Sequence, residues 1–131
     1  MLVGVYQNHP EFGEIQTNVE KAIQDLSSVE ADLIVLPELF NTGYQFVSIQ
    51  ELEALAEEIP AGKTCRAMMD LARDRNMVFV FGLAERDGRH FLIRLLSWVP
   101  MVLWAPTGKH IFFLKKKISL PPEIQVFASL I

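Results

Sequence analysis

The chain has a single cysteine, Cys65, in 131 residues. That excludes an internal disulfide and fits a reducing compartment. Cationic residues are in deficit. Twelve Lys and Arg against 16 Asp and Glu leave a formal charge of −4, which gives no electrostatic reason to expect a nucleic-acid partner. The Lys115–Lys117 run has no glycine-rich loop beside it and reads as a solvated stretch rather than a phosphate site. His9, His90 and His110 have no ligand spacing between them, so neither a metal nor another cofactor is expected. Long hydrophobic runs are also missing. The longest, FLIRLLSWVPMVLW at 91–104, is interrupted by Arg94 and Pro100 and is too short to span a bilayer. The opening MLVGVYQNHP has no basic region ahead of its short apolar stretch, unlike a secretory signal. These absences predict a soluble, cytoplasmic protein with no membrane partner.

What is present is apolar. Half of the residues are hydrophobic, enough for one core, while the length is too small for two ordinary domains. LVGVY at 2–6 predicts a short buried strand. Ile15, Val19, Ala22, Ile23 and Leu26 form a helical stripe, and the capping-box spacing of Thr17 and Glu20 predicts a start near Thr17. LIVL at 33–36 is apolar on both faces, as for a strand covered on both sides. Ser48, three residues before Glu51, predicts a second helix that buries Leu52, Leu55 and Ala56 and stops by Pro60. A third is expected over 64–75, with Met68, Leu71 and Ala72 inward. MVFVFGLAE at 77–85 predicts a strand and ERDGR at 85–89 a hairpin turn. Strands alternating with helices define an α/β class. Beyond about Phe91 the pattern changes: IFFLKKKISLPPEIQVFASLI has no clean period.

The stretch LIVLPELFNTGY, at 33–44, ends an apolar strand in Pro37 and then Glu38. Open α/β sheets bind ligands at the carboxyl ends of their strands, and Pro37 limits the backbone freedom there. Partial burial would favour the protonated carboxyl and fit Glu38 to take a proton from a nucleophile. A solvated turn glutamate is the plain alternative. Phe40 and Tyr44 read as packing or pocket-wall residues. Cys65, beside Arg66 near a helix start, has some features of an activated thiol but no neighbouring histidine in sequence, and reads as structural.

This stretch resembles the first catalytic motif of the carbon–nitrogen hydrolase (nitrilase) superfamily. VGVYQNHPEFGEIQTNVEKAI is similar to the family's first strand, loop and helix, with Gln7, Gly13 and Asn18 in their usual places, and FGLAERDGRHF to the next strand pair. The resemblance covers residues 1–91 and implies the N-terminal portion of an α-β-β-α sandwich with a Glu-Lys-Cys triad. It makes Glu38 the general base, the substrate a small amide or nitrile, and the intact relative a homo-oligomer.

The remainder departs from that pattern. The lysine motif Tyr-Arg-Lys-x-His-Leu is absent and no cysteine follows Cys65, so the catalytic Lys and Cys are missing. Reading the third base of each codon with the first two of the next forces glycines at Trp98-Val99, Met101-Val102 and Trp104-Ala105. In that frame APTGKHIF, at 105–112, permits Thr-Tyr-Arg-Lys-Thr-His-Leu. Residues 92–131 are therefore expected to be an out-of-frame tail, and the chain is expected to be inactive alone. The alternative is a small non-catalytic α/β module whose apolar tail, with Trp98, Trp104 and Lys115–Lys117, binds a partner chain or a membrane surface.

Overall fold

The computed structural model describes residues 1–98, 112–119 and 125–126. Among these residues six strands form a sheet in sequence order: β1 (Val3–Val5), β2 (Leu33–Val35), β3 (Val78–Asp87), β4 (His90–Trp98), β5 (Phe112–Ser119) and β6 (Gln125–Val126). The first three are parallel and the last three antiparallel, joined by the β3–β4 hairpin at Gly88 (φ 61°). The helices are α1 (Ile15–Leu26), α2 (Ile49–Leu55) and α3 (Lys63–Arg75). The mixed α/β class is as expected from the alternation.

Period two along β3 divides the core. Phe79, Phe81 and Leu83 join Ile34 beneath α1 and α3, where Val19, Ala22, Leu26, Met68, Leu71 and Ala72 close one layer. On the other side Ala84 and Ile93, a cross-strand pair, pack with Leu39, with Leu52 of α2 and with Ala56 just past its end. Burial at this depth is worth about 1.5–3 kcal/mol for each large side chain.

Three local expectations are corrected. The first helix starts at Ile15, two residues before Thr17, and without a side-chain cap: Asn18 N already donates to Glu14 O (2.9 Å), which puts Thr17 inside the first turn. β1 is not buried: Val3 and Val5 are exposed, since only the Gly4 side of this edge strand faces the helices. Leu33 and Val35 are half-exposed, so β2 is fully covered on its Ile34 side only. The second helix starts as expected, with Glu51 N donating to Ser48 Oγ (3.2 Å) and Val47 N to Glu51 Oε2 (2.8 Å).

β4 crosses the proposed boundary at residue 91 without a break, burying Ile93, Arg94 and Leu96. Phe112–Ser119, which showed no clean period in sequence, pairs with β4. Most of the frame-shift reading, with Trp104, His110 and the Pro121-Pro122 pair, lies outside the described residues, as do the side chains of Trp98 and Lys115–Lys117. Among the described residues no helix is long and apolar enough to cross a membrane.

Candidate active site

β2 is shorter than β3, and the chain beyond β2 continues along the same edge. The amides of Leu36, Leu39 and Glu57 donate in turn to the β3 carbonyls of Val80 (2.8 Å), Gly82 (3.2 Å) and Ala84 (2.9 Å). The chain thus leaves the strand at Leu36, passes Pro37, and turns at Glu38 while still tied to the sheet. Leu39 takes a left-handed conformation (φ 58°), and its carbonyl accepts from Thr42 N (3.2 Å) and Gly43 N (2.9 Å). A non-glycine residue held there stores about 1–3 kcal/mol and persists only where its surroundings fix it.

Glu38 is half-buried at this elbow. It lies over Gly82, where an added Cβ would stand 3.0 Å from Glu38 Cα and 3.1 Å from its Cγ. Because Phe81 and Leu83 point into the helix layer, Gly82 presents the opposite face, and the carboxylate belongs to that face. Tyr44 lies within electrostatic reach. Burial, and then the charge of Glu38, push its phenol pKa above the usual value, while the side chain stays 54% exposed. Phe40, the other residue proposed for the pocket wall, is wholly buried and meets Phe81 edge-on (5.7 Å between centroids). It supports the elbow from within the core.

Cys65 is elsewhere, on α3 beneath the helix-side face of the sheet. It is 3% exposed, and burial, assisted by the Glu57 and Glu85 carboxylates, pushes its thiol up to about 12. A thiol in that environment carries almost no thiolate at neutral pH, so its role is packing. Among the described residues no group of three His, Cys, Asp or Glu could hold a metal ion.

Two polar groups, one half-buried and one buried, escaped the sequence reading. Glu57 accepts from Thr64 N (2.9 Å), from Thr64 Oγ1 and from Asn41 Nδ2 (3.5 Å), tying the elbow to the start of α3. Glu85, 5% exposed, accepts from Arg94 at 2.5 Å across the β3–β4 hairpin. Removing one partner of such a pair costs about 3–5 kcal/mol, because a charge is left buried. A glutamate late in an apolar strand, as at Glu85, is a signal that could have pointed to the second group. A groove of about 740 Å³ between α1 and α3, lined by Ile15, Val19, Lys63, Arg66 and Ala67, lies on the helix side and does not include Glu38 or Tyr44.

The fold is mixed α/β, with a half-buried carboxylate on a sheet-tied elbow at the carboxyl end of a parallel strand. The chain belongs to the carbon–nitrogen hydrolase family, whose pattern matches residues 2–125. It is similar to a nitrilase of Pyrococcus abyssi, 43% identical over 89 residues, which cover 66% of this chain and 34% of that protein. It is also similar to a hydrolase from the pqqF 5′ region of Pseudomonas protegens, 30% identical over 88 residues, 66% of this chain and 30% of the relative. The chain therefore spans about a third of the curated relatives it matches. The crystal structure of an N-terminal amidase shares its fold, with a TM-score of 0.71 at 20% identity over 86% of this chain and 27% of that one. So does a CN-hydrolase superfamily protein from Xanthomonas campestris, with a TM-score of 0.65 at 19% identity, over 84% and 38% respectively.

Proposed function

We propose that Glu38 is the general base of a carbon–nitrogen hydrolase acting on a small amide or nitrile. The observation that carries this reading is the elbow: Glu38 is held over Gly82 at the carboxyl end of β2, on the sheet face away from α1 and α3. A carboxylate fixed there can take the proton of a thiol brought to the same face. The thiolate then attacks the amide carbon, and a lysine ammonium holds the charge that develops on oxygen. Ammonia or an amine leaves with a proton, and water cleaves the resulting thioester. We assign Tyr44, exposed and within electrostatic reach of Glu38, to the substrate side, while Phe40 stays in the core against Phe81. Neither the lysine nor the nucleophilic cysteine occurs at a matching place in this sequence, and Cys65 is not a substitute.

On this reading the 131-residue chain does not run the reaction alone, and residues 92–131 are an out-of-frame continuation. The coding DNA tests this directly. Read from codon 85 in the other frame, it is expected to spell the lysine motif and, further on, a cysteine. A protein made from that frame should release ammonia from small aliphatic amides and lose this activity on Glu38→Gln. Ammonia release by the purified 131-residue chain, abolished by Glu38→Gln, would overturn the requirement for the missing groups. Unchanged activity of the Glu38→Gln variant of the restored protein would overturn the role of Glu38.

A further inference from the structure

The three residues at the end of the elbow turn, Phe40, Asn41 and Thr42, are almost wholly buried, so their carbonyls need partners from within the protein. Each has one, and all three come from the β1–α1 segment. Asn8 Nδ2 donates to Phe40 O (2.9 Å), Asn18 Nδ2 to Asn41 O (2.8 Å) and Gly13 N to Thr42 O (2.9 Å). Asn18 is itself fixed: its Oδ1 accepts from Glu11 N (2.9 Å) and its Nδ2 also donates to Glu11 O (2.7 Å). The amide orientations are dictated by these partners, since a flipped Asn8 or Asn18 would set oxygen against a carbonyl oxygen.

We infer that Asn8 and Asn18 are positioning residues for Glu38, acting through the carbonyls of Phe40 and Asn41. The inference rests on the reading of Glu38 as the base. Its physical core is the left-handed Leu39, whose strain must be held from outside the turn. The sheet holds one side through Leu39 N and Gly82 O, and the side chain of Asn41 is anchored to Thr64 Oγ1 (3.2 Å). The Phe40 carbonyl is held by Asn8, and the carbonyls of Asn41 and Thr42 by Asn18 and the Gly13 amide, while the amides of those last two planes, Thr42 N and Gly43 N, turn inward to Leu39 O. If a donor is removed, its buried carbonyl must rotate to find another, and that rotation passes through Leu39 to the Glu38 side chain.

The test needs no catalysis, because Tyr44 reports on Glu38 within this chain. With the tyrosines labelled with ¹³C, the Tyr44 ring shift is measured at neutral pH with and without Glu38→Gln. Tyr6, the only other tyrosine, is assigned through Tyr6→Phe. In the native sequence Glu38→Gln should displace the Tyr44 signal. In the Asn18→Ala and Asn8→Ala backgrounds that displacement should shrink by about twofold or more, whereas Leu26→Ala, a buried change on the same helix as Asn18, should destabilise the fold and leave the displacement intact.

A native-sized displacement in both folded asparagine variants overturns the proposal, and so does an equal loss in Leu26→Ala. Should Asn18→Ala fail to fold, Asn8→Ala, which removes one bond from a half-buried side chain, decides the matter. A Tyr44 signal that Glu38→Gln leaves unmoved overturns the placement of Glu38 beside Tyr44, and the proposal with it. A failure of the ammonia assay concerns the catalytic reading alone and leaves this spectroscopic result standing.

Discussion

Gly82 and Glu38 lie against each other with no room for one more carbon: a Cβ on residue 82 would come within 3.0 Å of the Glu38 Cα. The obstructing atom is backbone, on a turn already tied to the sheet at Leu36 and Leu39, so it cannot swing aside as a side-chain tip would. Gly82→Ala is expected to cost about 1–3 kcal/mol, the usual range for overpacking, and to move the carboxylate. Urea unfolding measures the first effect and the Tyr44 ring shift the second. A variant as stable as the native chain, with the Tyr44 signal unchanged, would show that the contact is loose.

Glu57 links the elbow to α3. Glu57→Ala removes the acceptor of Thr64 N, Thr64 Oγ1 and Asn41 Nδ2 and leaves buried donors unpaired. The expected loss is roughly 2–3 kcal/mol, as for hydrogen bonds to a charged group. Glu57→Gln keeps one acceptor oxygen and should lose about half as much. Equal losses in the two variants would mean that packing, not hydrogen bonding, sets the contribution of Glu57.

How much of this could be read in advance depended on the range of the interaction. Helix stripes such as Met68, Leu71 and Ala72, the Ser48–Glu51 cap and the turn at Gly88 are local, and the sequence displays them directly. The Glu38 elbow was legible as a candidate because a strand, a proline and a carboxylate lie next to one another in the chain. Asn8, Asn18 and Asn41 were not legible as a group. Their bonds join residues 23 and 32 apart, and an isolated asparagine has no local feature to mark such a bond. The β5 strand was obscured for a related reason: its register comes from β4, not from a period of its own.

Cys65 provides a kinetic prediction. With the thiol pushed up to about 12, chiefly by burial, native protein at pH near 8 should react with iodoacetamide far more slowly than an exposed thiol, whose pKa is about 8.5. The rate should follow the unfolded fraction as urea is added. Fast alkylation of the folded chain would mean that Cys65 is accessible and would reopen its candidacy as a nucleophile.

Tyr6 and Asp25 make stability depend on pH at both ends of the scale. Tyr6 OH donates to Asp25 Oδ2 (2.8 Å), and Lys21 Nζ lies 3.4 Å from the same oxygen. Burial, with the bond to Asp25, raises Tyr6 from 10.0 to about 12, so its contribution is full below pH 10 and is lost as pH rises through about 12. The Tyr6 bond, with Lys21, lowers Asp25 below 3.8; that contribution is present above 3.8 and is lost as pH falls through the lower, folded value. The stability difference between the native chain and Tyr6→Phe should therefore be widest between these limits and shrink beyond both. A difference that stays constant with pH, in urea titrations at acid, neutral and alkaline pH, would exclude the linkage.

The last prediction comes from the face of the sheet that carries Glu38. Parallel register aligns Val3, Leu33 and Val78 in one row and Val5, Val35 and Val80 in the next. All six are apolar; Val3 is 50% and Val5 74% exposed, and the other four are half-buried. Two adjacent rows of aliphatic side chains on an edge strand favour association, because a second apolar surface buries them at little entropic cost to an already ordered sheet. The isolated chain should therefore self-associate as its concentration rises. Val3→Thr with Val5→Lys should reduce that association without lowering the unfolding midpoint, since neither side chain contributes to either core cluster. Sedimentation velocity across a concentration series measures the first effect and thermal unfolding the second. A native chain that stays monomeric at high concentration would mean that these rows are covered in solution. In that case Val5→Lys, by placing a charge under the cover, should lower the unfolding midpoint instead of leaving it unchanged.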